Sequence, residues 1–246
     1  MTTVSDLVYV ALFAVAGPVI DYRVFWPAFR RLSQADPAWA RRWLWLSSIG
    51  HLWMLIAFGA ALWLARDRSW TSFGFSVPDG WRLWTSIALV LLLVVYHVYA
   101  IATLVRSSEA RASLRQQFGP LTDVIPHTRI EVYWFSGVSL TAGFCEEFLY
   151  RGYFIWVFVP WLGWWGAAAL SLPFFAVGHI YQGWNGVLRT GIVGAFYTLT
   201  VAIFDSLWPA IALHALLDLS AGIMAWLALR EETSNESSVM PLAVEP

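Results

Sequence analysis

The chain alternates between long apolar runs and short polar breaks. A helix that crosses the hydrocarbon core of a bilayer needs about 20 mostly apolar residues. Runs of that size fall at roughly 4–22, 43–65, 83–105, 131–150, 186–204 and 207–229. The first ends near Pro18. The second, "WLWLSSIGHLWMLIAFGAALWLA", and the third, which contains "IALVLLLVVYHVYAIATLV", are the most continuous. Residues 153–181 are too long for one span, and Pro160 and Gly163 predict a break that makes two segments of them. Backbone polar groups in lipid must be satisfied within their own segment, so all of these are expected to be helices. The predicted fold class is all-α: a polytopic membrane bundle of about eight transmembrane helices, with any site inside the bundle. Residues 1–230 read as one transmembrane domain with a motif-bearing core at about 131–229, and residues 231–246 as a polar, disordered tail.

Composition agrees with this pattern. Hydrophobic residues make up 59% of the 246 and charged residues 13%, and the mean hydropathy is +0.61. A soluble domain carries roughly 25% charged residues, so the lipid bilayer is the expected surrounding. All 15 basic residues are Arg, which a GC-rich genome would give, and a bacterial cell membrane is the expected location. A formal net charge of −1 offers nothing to a nucleic acid. The single cysteine, Cys145, leaves no intrachain disulfide to form. "MTTVSDLVYVALF" has no basic residue before its apolar run, so it reads as a retained membrane segment rather than a cleaved signal. "VFWPAFRRLSQADPAWARRW" suits a stretch lying along the interface, with Trp at headgroup depth. Arginine counts favour an outside N-terminus: nine fall in the first and third loops against three in the second.

Charges inside the apolar runs then stand out, since each costs at least ~2.5–3.5 kcal/mol near the bilayer centre. From the fourth span onward they are Glu146, Glu147, Arg151, His179, His214 and Asp218. Glu131 and Arg189 begin their spans and can reach the interface, and Asp205, beside "SLWP", reads as a turn residue. Glu147 and Arg151 stand at i and i+4, so they share a face and neutralise each other. Glu146 is rotated by about 100° from Glu147. It lacks that partner, which suits it to general acid or base work. "FFAVGHIY" places Phe175 one helical turn before His179, and "LHALLDL" places His214 one turn before Asp218. Any one of these fits a satisfied core residue or a hydrogen bond within a helix, with Asp218 fixing the His214 tautomer. Three of them, on three spans and in this order, are hard to explain as packing. His51 and His97 lack acidic neighbours and read as packing residues or as partners in interhelical hydrogen bonds, and His127 lies in a loop. Cys145 has two carboxylates beside it rather than the electropositive setting of a nucleophilic thiolate.

The three motifs resemble those of the CPBP intramembrane proteases, the CAAX-protease and bacteriocin-processing group also called Abi. "EEFLYR" matches its EExxxR motif, "FAVGH" its FxxxH motif and "HALLD" its HxxxN/D motif. The flanking "LTAGFCEEFLYRGY" and "SLWPAIALHALLD" are also similar, so the resemblance covers about residues 139–220. It implies an eight-helix membrane fold and an endopeptidase acting near the membrane surface. The implied partner is a peptide or protein substrate at the membrane, lipidated in the eukaryotic members, which remove the last three residues of prenylated CAAX proteins.

Two mechanisms fit the residues. In one, Glu146, helped by His179, takes a proton from water, and His214 with Asp218 stabilises the oxyanion. In the other, Glu146, His179 and His214 hold Zn²⁺, which activates the water. Asp218, where an Asn would donate freely, needs a proton to donate; a carboxylate suits metal support without that condition. In both schemes Glu147, Arg151 and Phe175 support the site. A transporter or proton relay also uses buried carboxylates and histidines, but no repeated halves or paired broken helices occur. An inactive membrane scaffold is the third reading. The peptidase reading requires that one carboxyl and two imidazoles, from three distant helices, meet at one wetted spot.

Overall fold

The computed structural model describes residues 1–236, and the side chains of all but Pro120 among residues 1–230. It is all-α. Eight helices form the bundle: α1 (Val4–Ala35), α2 (Pro37–Leu64), α3 (Gly80–Arg106), α4 (Ser108–Arg115), α5 (129–162), α6 (164–177), α7 (Gly183–Phe204) and α8 (Leu207–Glu236). The polar tail expected from residue 231 continues α8 as far as Glu236, and its remainder lies outside the described residues.

Six stretches of the described residues are long and apolar enough to cross a membrane, against the eight expected. The difference lies in residues 129–177. That 49-residue stretch counts once, although it holds two helices: the predicted fourth and fifth segments run on as α5, and the predicted sixth follows Gly163 as α6. Pro160 does not interrupt α5; the break comes at Gly163, whose φ of 65° and ψ of 172° are open to glycine at little cost. The six spans and the apolar residues exposed on them mark a multi-pass integral membrane protein. On α3, for example, Leu91, Leu92, Val95, Val98 and Tyr99 face outward.

α1 is also longer than predicted. Pro18 does not end it, because the chain widens into a π-helical turn at Leu12–Ala16 just before the ring, and again at Asp21–Phe25. Such a turn absorbs the missing donor and the clash that a proline brings to an α-helix. The arginine-bearing stretch predicted to lie at the interface is therefore the second half of α1. Phe29 is buried there against Ala40, Leu44 and Trp45 of α2, while Arg23, Arg30 and Arg31 are exposed. Asp36 ends α1 and caps α2, accepting from the Trp39 amide at 2.9 Å.

α5 runs through the middle of the bundle. Thr128 and Glu131 form a capping box at its start. Glu131 does not reach the interface as expected: it is 3% exposed and paired with Arg41 of α2 at 2.8 Å. Arg189 is exposed, as expected. From Glu147 to Phe154 the helix is π-helical, and every residue of that segment is buried. α8 and α2 both pack along α5, and α7 packs against α6. Asp205 takes the left-handed conformation (φ 53°) between α7 and α8, the turn role its sequence context indicated.

Candidate active site

The EEFLYR motif lies where α5 changes from α to π geometry. Glu147 is fully buried. Its Oε1 accepts from Arg151 Nη1 at 3.0 Å and from His214 Nδ1 at 2.8 Å. Arg151 is held from three further directions. Its Nη2 donates to the Gly194 carbonyl at 2.8 Å, its Nε to Thr198 Oγ1 at 3.3 Å, and its guanidinium lies 4.1 Å from the Phe175 ring centre. The i,i+4 pair read from the sequence therefore exists, and it joins α5, α6, α7 and α8 at one point.

Glu146 faces a different part of the same cluster. Its Oε2 is buried and has no hydrogen-bond partner in the protein. It stands 3.8 Å from His179 Nε2 and 3.9 Å from His214 Nε2. Both gaps exceed a direct hydrogen bond and are of the size that one water spans. Adjacent glutamates thus address the two nitrogens of one imidazole, Glu147 at Nδ1 and Glu146 across a gap from Nε2.

The hydrogen bonds set the ring orientations. His179 Nδ1 is 2.9 Å from the Phe175 carbonyl, which can only accept. Nδ1 therefore carries the proton, and Nε2 of the neutral ring is left as an acceptor facing Glu146. This bond forms because α6 ends here: His179 leads into a single 3₁₀ turn, Ile180–Gln182. His214 Nδ1 likewise donates to Glu147. The tautomer role expected of Asp218 falls to Glu147, and Asp218 Oδ2 lies 3.6 Å from His214 Nε2 instead. His214 stacks on Tyr197 of α7, with ring centres 4.7 Å apart and 17° between planes.

The structure brings all four candidate catalytic residues, and the three supporting ones, into one cluster. It also adds residues that the sequence did not single out: Tyr197, Thr198 and Gly194 on α7. None has an intrinsic signal, since a tyrosine, a threonine and a glycine in an apolar helix read as packing. Gly143 is a further case. A Cβ there would lie 2.7 Å from the Ala215 amide nitrogen and 2.8 Å from its Cβ, so the absence of a side chain lets α5 and α8 approach beside His214. Gly143→Val is expected to spread the two helices, cost about 1–3 kcal/mol as overpacking, and lower activity. Unfolding midpoints in one detergent, with cleavage rates per folded molecule, check it.

A second buried ionic cluster joins α1, the 65–79 loop and the π segment of α5. Asp6 is fully buried and accepts from Arg68 at 2.9 and 2.7 Å, from Tyr153 OH at 2.6 Å, and from Thr3 N and Oγ1, each at 2.7 Å. The Arg68 guanidinium lies 4.3 Å from the Trp156 ring centre. The Asp6 carboxylate beside it holds Arg68 above its ordinary value. Asp6, in the first turn of an apolar segment, was the one sequence sign of this cluster.

Glu146, His179 and His214 have the donor chemistry of a zinc site but not its spacing. Ligands on a tetrahedral ion with bonds of about 2.1 Å stand about 3.4 Å apart, and the Glu146 oxygen is 3.8 and 3.9 Å from the two nitrogens. Among the described residues no group of three or more His, Cys, Asp or Glu side chains could hold a metal ion. Cys145 is buried in the aromatic core; His97 is buried too, bonding the Leu93 carbonyl of its own helix at 2.8 Å, in line with its expected packing role.

Residues 128–220 match the family model described as Rce1-like, type II CAAX prenyl endopeptidase Rce1-like. No curated protein and no solved structure matches the chain. The matched residues span α5, α6, α7 and the first half of α8, the four helices that build the cluster. With all three motifs inside it, residues 128–220 form an Rce1-like CAAX prenyl endopeptidase domain of the CPBP/Abi group.

Proposed function

We propose that this chain is an intramembrane endopeptidase in which Glu146 activates a water without a metal ion. The observation that carries the reading is the unpartnered, buried Glu146 Oε2 facing two histidine Nε2 atoms across 3.8 and 3.9 Å. A water in that gap donates to the carboxylate and to His179 Nε2, which leaves its lone pair free to attack.

The steps balance with these groups. Water oxygen bonds to the scissile carbonyl carbon while its proton passes to Glu146. The carbonyl electron pair moves onto oxygen, and His214, protonated on both nitrogens, offers Nε2–H to that oxyanion. Glu147 accepts Nδ1–H of the same ring, which fixes its orientation and favours its cationic form. As the tetrahedral intermediate collapses, the C–N bond breaks and Glu146 returns its proton to the leaving nitrogen. Asp218 is the most open of the four, with a side chain 31% exposed against 17% for Glu146. Its carboxylate is able to accept a hydrogen bond from a substrate N–H.

The substrate is a protein or peptide at the membrane, prenylated where the family description holds. Comparative mass spectrometry of membrane-associated peptides, wild type against Glu146→Gln, tests the reading. Products that vanish in the variant support it. An unchanged peptide profile overturns it, and an altered ion flux in its place favours a transporter. The metal-free step has its own test: purified protein is expected to keep its cleavage rate within about twofold after chelation and dialysis. A loss restored by Zn²⁺ overturns that step.

A further inference from the structure

The domain that matches the family begins at residue 128, yet α1 reaches its catalytic cluster. Two aromatic contacts bring it there. Phe13 packs edge-on against Tyr150, with ring centres 5.6 Å apart, and Tyr150 packs on Phe175 at 5.2 Å. Further along α1, Trp26 stacks on Tyr181, with ring centres 4.4 Å apart and 18° between planes.

Tyr181 is two residues beyond His179, in the 3₁₀ turn that ends α6. Its ring centre lies 6.0 Å from that of His179. Gln182 Nε2 donates to the phenol oxygen at 3.1 Å and fixes the ring's direction. Both Trp26 and Tyr181 are partly exposed.

We infer that Trp26 and Tyr181 form the apolar wall of a substrate subsite next to His179, and that Trp26 is a specificity-determining residue. The inference rests on the peptidase reading. A stacked indole and phenol offer a flat, rigid surface that recognises an aliphatic or aromatic side chain adjoining the scissile bond. A peptide whose scissile carbonyl lies at Glu146 and His179 has this wall as the neighbour of its adjoining side chain, since the Tyr181 ring is 6.0 Å from the His179 ring. Selection of the substrate is thereby divided between the matched domain, which carries the chemistry, and a helix outside it.

The test uses full-length protein in detergent micelles with two probe sets. One is a library of S-farnesylated peptides with three residues after the cysteine, each varied. The other is a pool of proteome-derived peptides. Trp26→Ala is expected to raise KM for apolar peptides roughly tenfold, leave kcat within about twofold, and flatten the preference beside the cut. Trp26→Phe is expected to keep the preference, and Trp84→Ala, at an exposed tryptophan on α3, to change nothing. If Trp26→Ala does not fold, Trp26→Leu and Tyr181→Leu take its place. A purely structural stack would lower the unfolding midpoint and the amount of active protein at unchanged KM and preference, and that result overturns the inference. Absence of any Glu146-dependent product from both sets overturns the peptidase reading itself, and the wall with it.

Discussion

Glu146→Gln is expected to slow cleavage by about 10²- to 10⁴-fold, the range that a positioned general base supplies, while leaving the fold intact. The second half of this expectation comes from the geometry. Glu146 makes no direct hydrogen bond or close ion pair through Oε2, the nearest nitrogens being 3.8 and 3.9 Å away. Replacing that oxygen by an isosteric amide therefore orphans no partner. Glu147→Gln, one residue on, is expected to behave differently. It removes the counter-charge from a fully buried Arg151, which costs about 3–5 kcal/mol when a buried pair loses one member. The two variants can be compared by cleavage rate and by unfolding midpoint in the same detergent. An inactive but fully stable Glu146→Gln beside an unstable Glu147→Gln is the expected pattern. Equal stability losses for both would contradict the division of labour between the neighbouring carboxylates.

A stability effect as large is expected at Asp6. Asp6→Ala leaves the Arg68 guanidinium, the Tyr153 hydroxyl and two Thr3 donors without their common acceptor. Arg68 has an 8% exposed side chain, and with Asp6 gone its charge stays buried, so about 3–5 kcal/mol is again the expected loss. Asp6→Ala with Arg68→Met should lose less than Asp6→Ala alone, because the second change removes the stranded charge. A double-mutant cycle on unfolding free energies measures that coupling, and additive losses would show that the pair does not act as a unit. Activity should fall as well, since Tyr153 belongs to the π segment that carries Glu147 and Arg151.

Much of this molecule follows from local pattern. Apolar run length yields helices and a membrane location. The i,i+4 spacing of Glu147 and Arg151 yields their 3.0 Å contact, and the "SLWP" context yields the turn at Asp205. The three motifs could be read together because each sits on its own span and needs only its own few residues to be recognised. Span counting was less legible. Proline within an apolar run is an ambiguous stop signal: the structure carries helix past both Pro18 and Pro160, and a break occurs only where Gly163 can take a positive φ.

What sequence pattern alone determined was therefore which polar groups share a helix, and that they are too costly in lipid to lack a role. Only the tertiary structure decided which group faces which. Glu147, rather than Asp218, orients His214; Tyr197 stacks on that ring; Arg68 meets Asp6, 62 residues away; and α1 brings Trp26 to Tyr181. The physical reason is that helical spacing fixes contacts within a turn or two of one segment. Contacts between segments depend on which helices pack together and how each is rotated, and the π geometry of Glu147–Phe154 sets that rotation without leaving a mark on apolar periodicity.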